Sequence, residues 1–93
     1  MKKIELNFEN CKYISEIHNA LKDTFELPEY YGKNWDALWD CLDGLFYDEG
    51  EVTVEIHGLN SLKEDLKHAC KPMLEVFNDV HNNTPNVKFV IIS

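Results

Sequence analysis

Alternation opens the chain. From Lys3 to Phe8, the apolar residues Ile4, Leu6 and Phe8 interleave with Lys3, Glu5 and Asn7, the period of two expected of a strand with one buried face. The spacing then lengthens. Ile17, Ala20, Leu21 and Phe25 recur three and four residues apart, which predicts a helix over 15–26 with Ser15 as its N-cap. Pro28 stops that helix, because the residue before a proline is pushed out of helical angles. Tyr30-Tyr31-Gly32 reads as a tight loop in which Gly32 is a candidate for positive φ. A second helix is predicted over 34–43, with Asn34 as N-cap and Gly44 ending it as the first residue beyond the cap.

That second helix has two unlike faces. At ~100° per residue, Leu38, Cys41, Leu42 and Leu45 gather on one side, with Trp35 at its margin. Asp36, Trp39, Asp40 and Asp43 gather on the other. Asp36 falls in the first turn, where a carboxylate complements the helix dipole. Asp40 and Asp43 fall near the C-terminal end, where the dipole disfavours negative charge. Asp36 and Asp40 also form a like-charge pair at i, i+4, which costs a few tenths of a kcal/mol. Lysine at 40 or 43 would serve the helix better. A local rule broken in this way points to binding, against the blander reading of an acidic surface kept for solubility.

Beyond Gly44 lies an acidic loop, then Val52, Val54 and Ile56 alternating with Thr53 and Glu55: a second strand. Asn60 or Ser61 can cap a third helix, with Leu62, Leu66, Ala69 and Cys70 on its inner side. Pro72 would remove a hydrogen bond from a continuous helix, so a fourth helix is expected to start there with Pro72 as its first residue. Met73, Leu74, Phe77 and Val80 form its apolar stripe, and Asp79 faces elsewhere. Residues 87–92 are nearly all apolar, which predicts a strand covered on both faces. Strands separated by helical crossovers pair in parallel. The expected fold is α/β: one domain over residues 1–93, a small three-stranded parallel sheet packed with about four helices.

Composition narrows the function. No apolar run approaches the ~20 residues of a membrane span, and Glu5 interrupts any signal-peptide core; the expectation is a cytoplasmic protein with no membrane partner. Cys11, Cys41 and Cys70 are odd in number and widely spaced, which predicts reduced thiols. His18, His57, His68 and His81 show no ligand spacing, so no metal and no cofactor are expected. Asp36 and Asp40 lack a convergent third group, and no catalytic residue is assigned: the chain is not read as an enzyme.

Charge carries more. The net charge is −8, from 17 acids and nine bases. All the bases are lysine. Residues 26–51 alone contain Glu26, Glu29, Asp36, Asp40, Asp43, Asp48, Glu49 and Glu51 against one base, Lys33. Such a chain lacks the basic footprint of a nucleic-acid binder; its natural partner is basic.

The segment Leu27-Pro-Glu-Tyr-Tyr-Gly-Lys-Asn-Trp-Asp-Ala-Leu-Trp-Asp-Cys-Leu42 resembles the signature of the barstar family, intracellular inhibitors of barnase-type, guanyl-preferring ribonucleases. Ile14-Ser-Glu-Ile-His18, Leu74-Glu-Val-Phe77 and Val90-Ile-Ile-Ser93 look similar too. The resemblance implies a three-stranded parallel sheet with about four helices, and a second helix that plugs a ribonuclease active site. It implies partner-binding roles for Tyr30, Asn34, Asp36, Trp39, Asp40, Asp43, Gly44 and Asp79, with Asp40 standing in for a substrate phosphate. Tyr30 would pack on the enzyme's catalytic histidine, and Asp36 would pair with an arginine. The implied assembly is one-to-one with a basic extracellular ribonuclease, and the free inhibitor is expected to be a monomer. The chain departs from the family pattern at Asp79 (a glutamate there), Leu45 (a tryptophan), Trp35 (an aliphatic residue) and the long acidic loop 46–51. An immunity protein or antitoxin of the same fold, directed at a different basic toxin, is the alternative.

Overall fold

The computed structural model describes residues 2–29 and 31–92. Three strands, β1 (Lys2–Asn7), β2 (Val52–His57) and β3 (Val87–Ile92), form a sheet in the order β1-β2-β3. Both pairings are parallel, as the helical crossovers require. Among the described residues four α-helices intervene: α1 (Ile14–Phe25), α2 (Trp35–Leu42), a six-residue α3 (Glu64–Ala69) and α4 (Lys71–Asn83). The short α3 runs into α4 at Cys70, so three longer helices dominate, and a 3-10 turn spans Leu59–Ser61. No described helix is long and apolar enough to cross a membrane.

Burial follows the alternation. In β2, Val52, Val54 and Ile56 are buried while Thr53, Glu55 and His57 are half-buried. Leu6 and Val87 join the buried set from the neighbouring strands. Ile17 and Leu21 of α1, Leu38 and Leu42 of α2, and Met73, Phe77 and Val80 of α4 belong to the same apolar cluster. The helices therefore cover one face of the sheet. The other face presents Lys3, Glu5, Lys88 and Val90 as exposed residues.

Several expectations need correction. The strand at 87–92 is present, but it is not covered on both faces. It is an edge strand, with Val90 and Ile91 at 41% and 47% exposure. Ser15 does not cap α1. The cap position is Tyr13, and Glu16 Oε1 accepts hydrogen bonds from the backbone N–H of Lys12 at 2.7 Å and Tyr13 at 3.1 Å; a glutamate three residues into a helix can satisfy these orphan donors without a capping serine. The third helix is capped from Lys63, not Asn60 or Ser61. Ala69 is exposed, Val76 adds to the buried stripe of α4, and Pro72 is the second residue of α4, where its missing N–H is still harmless.

Candidate protein-binding site

The loop and helix that carry the acidic residues are held from below. Asn34 Oδ1 accepts a hydrogen bond from Ala37 N at 2.8 Å, the N-cap the sequence predicts. Gly32 does not take positive φ; Lys33 does, at 52°. Gly32 serves a different need, since a Cβ there would lie 3.1 Å from Asn34 Nδ2. On the inner side, Tyr31 Oη and His18 Nδ1 are hydrogen-bonded at 2.7 Å, both residues buried. The His18 ring also lies against Trp35, with centroids 4.4 Å apart. So α1 grips the loop through one imidazole, and α2 starts from that grip.

The chemistry of this grip is set by burial. Burial first, then Cys41, pushes the Tyr31 hydroxyl up to about 12, so it remains a phenol. Burial first, then Lys33, lowers the pKa of His18. As pH falls, the unfolded chain takes up this proton first, from about pH 6.5. The stability contributed by neutral His18 is therefore complete above that pH, and is lost as pH drops through the depressed folded value. NMR titration of His18 should give an apparent pKa below 6.5, and His18→Phe should flatten the fall of melting temperature between neutral and mildly acid pH. A His18 pKa at or above the free value would contradict this.

On the outer side, Asp36 and Asp40 are exposed, and Trp39, Asp43 and Gly44 are half-buried. Asp43 is the C-cap and Gly44 turns the chain at φ 87°, as the sequence predicts for a residue just past the helix. Leu45, placed inside by the helical wheel, is 40% exposed. The wheel fails there because α2 ends at Leu42. After the left-handed turn at Gly44 it is Phe46 that enters the core, edge-on to Phe25 at 6.1 Å. Asn86 Nδ2 donates to Phe46 O at 2.9 Å and to Gly50 O at 2.5 Å, tying the acidic loop to the start of β3.

The crest of α2 runs between two grooves. One, of about 380 Å³ between α2 and α4, is lined by Trp35, Asp36, Trp39, Glu75, Val76 and Asp79, with Pro72 at its end. It brings Asp36, Trp39 and Asp79 together, although Asp79 is far away in sequence. The other, of about 260 Å³, sets Asp40 beside Leu27, Pro28, Cys41 and Leu45. Sequence reading missed Glu75. Its signal was its place four residues before Asp79 on the same helix. Among the described residues, no ion pair engages Asp36, Asp40, Asp43, Glu75 or Asp79. Tyr30, the remaining predicted contact, lies outside the described residues. A larger groove of about 450 Å³, between α4 and β3, has no carboxylate in its lining and is separate from this face.

Burial raises Cys11, Cys41 and Cys70 above the ordinary value, Cys70 to about 11, so all three stay protonated near neutrality.

What the acidic crest can do is accept hydrogen bonds and charge from a basic surface, with indole at hand for stacking. A protein of Bacillus subtilis (strain 168) named "Putative ribonuclease inhibitor YrdF" is 48% identical over 44 residues, a match spanning 47% of this chain and about half, 48%, of that protein. A family model described as "Barstar (barnase inhibitor)" matches residues 1–92. A match across that length, on a three-stranded parallel sheet of this order, means that the chain belongs to the barstar family of barnase inhibitors.

Proposed function

We propose that the chain is a stoichiometric inhibitor of a basic, guanyl-preferring ribonuclease, acting by occlusion of the active site. The observation that carries this is the crest of α2: carboxylates at Asp36 and Asp40 held outward on a capped helix, with no cation of the described chain paired to them. A ribonuclease site concentrates positive charge to hold a polyanion, and spaced carboxylates on a rigid helix can occupy that field. In this reading Asp40 replaces a substrate phosphate. Asp36 takes an arginine on the guanine-recognition side, Asp79 reaches the same region across the groove, and Tyr30 covers the catalytic histidine. Asn34, Trp39, Asp43 and Gly44 border the contact. The complex is one-to-one, and it forms in the cytoplasm of the cell that makes the enzyme for export.

A second reading keeps the mode and changes the partner. Leu45 is exposed beside Asp40, and residues 47–51 form an exposed, acidic rim. These are departures from the family pattern at the edge of the face, and they favour a related basic toxin over barnase itself.

Titration of a barnase-type ribonuclease tests the first reading. Activity should fall linearly to zero at one equivalent, and the association rate should drop as salt is raised, because the encounter is electrostatically steered. Full activity at micromolar excess of inhibitor would sink it.

A further inference from the structure

We propose a divalent-metal site of the zinc type on the open face of the sheet, formed by Glu5, Glu55 and His57. Glu5 and Glu55 are directly opposite each other in the parallel register of β1 and β2. Like charges at that position oppose strand pairing. His57 follows Glu55 by two residues and so shares its face. The three donor atoms all lie within 4.8 Å of one another. His57 Nε2 is 3.7 Å from Glu5 Oε1 and 3.4 Å from Glu55 Oε1. This nitrogen is shut off from solvent and makes no hydrogen bond, so its neighbours are the two carboxylates at ion-pair distance.

The spacing suits a tetrahedral ion. Ligands at ~2.0–2.1 Å from zinc are about 3.3–3.4 Å apart along a tetrahedral edge. Two of the three separations are at or near that value already. The donor set is one imidazole and two carboxylates, which favours a borderline first-row ion over calcium or magnesium, whose ligands are oxygen. Two carboxylates and a dication sum to zero, which removes the repulsion between Glu5 and Glu55. Water can complete the fourth position, since Glu5 is exposed.

The nearest competing cation is part of the chain. Lys3 Nζ is 3.5 Å from Glu55 Oε1, a partly exposed ion pair in which Lys3 itself faces solvent. Lys3 is thus the internal rival of the metal.

Calorimetric titration of the full chain with zinc chloride at neutral pH tests the site. The expected result is one ion per chain, with the His57 ring resonances shifting in step. Loss of an outer partner of a metal ligand already costs about 10–100-fold in affinity, so His57→Ala and Glu5→Gln should each lower affinity at least that much. Lys3→Met should raise it. Zinc should increase the melting temperature of the wild type and not of His57→Ala. No binding at high micromolar zinc, or binding undiminished in His57→Ala, would overturn the proposal; the latter would assign the ion to other donors. The inhibition assay is independent of the outcome, because this face lies across the sheet from α2.

Discussion

Asp40→Ala is expected to weaken the complex with the target ribonuclease by about 2–5 kcal/mol, far more than Asp43→Ala. That range is the general one for truncating one member of a desolvated charge pair, a class of interaction for which barnase–barstar is itself a defining example. The direction follows from position. Asp40 is exposed on the crest of α2, whereas Asp43 is half-buried at its C-cap. Binding would strip water from Asp40 and from the cations it meets, so removing the carboxylate leaves those cations buried without a partner. The free protein should respond in the opposite sense. Asp40 opposes the dipole at the end of α2 and repels Asp36 one turn away, so the same variant should melt at an equal or slightly higher temperature. Affinity and melting of the two variants, measured side by side, check both halves. Equal, small losses of affinity at 40 and 43 would move the centre of the site elsewhere.

Leu38→Ala should carry the largest loss of stability near the site, about 2–5 kcal/mol. Leu38 is fully buried on the inner face of α2, directly beneath the acidic crest. Its truncation leaves a cavity between α2 and the rest of the core. For a domain whose total stability is of order 5–15 kcal/mol, this is a large fraction. The melting temperature should fall by roughly 10 °C or more, at about 4–8 °C per kcal/mol in a chain of this size. Leu45→Ala is the matched control, since that leucine is 40% exposed and sits outside the helix. Thermal unfolding of both variants distinguishes the buried face from the wheel's prediction; a loss at Leu45 as large as at Leu38 would contradict the packing described.

Much of the acidic helix α2 is legible from residue spacing. Its cap at Asn34, its end before Gly44, its buried Leu38 and Leu42 and its outward aspartates all depend on a period of 3.6 and on side chain–backbone bonds within one turn. Residue spacing says less wherever the chain leaves that local regime. The helical wheel puts Leu45 inside only if it is carried past the left-handed turn at Gly44, which hands the core position to Phe46. Glu75 sits four residues before Asp79, but the groove that gives both a place beside Asp36 exists only where α4 lies beside α2. The apolar run of β3 suggests a doubly covered strand, yet the helices cover only one face of the sheet and leave Val90 exposed on the other. Composition records that residues are apolar, and not how many layers lie over them.

Hydrophobic period, turn residues and charge placement thus determined the element order, the α/β class and an acidic helix face, because each depends on neighbours within about one turn or one pleat. Tertiary structure alone decided the rest. It set His18 between Tyr31 and Trp35 to brace the loop, joined Asp79 and Glu75 to Asp36 across two helices, and paired Glu5 with Glu55 in register, within 3.7 Å of His57. These contacts join residues distant in sequence. They form only when burial of the shared core fixes how the helices cross the sheet and which strands pair, and no local pattern encodes that choice.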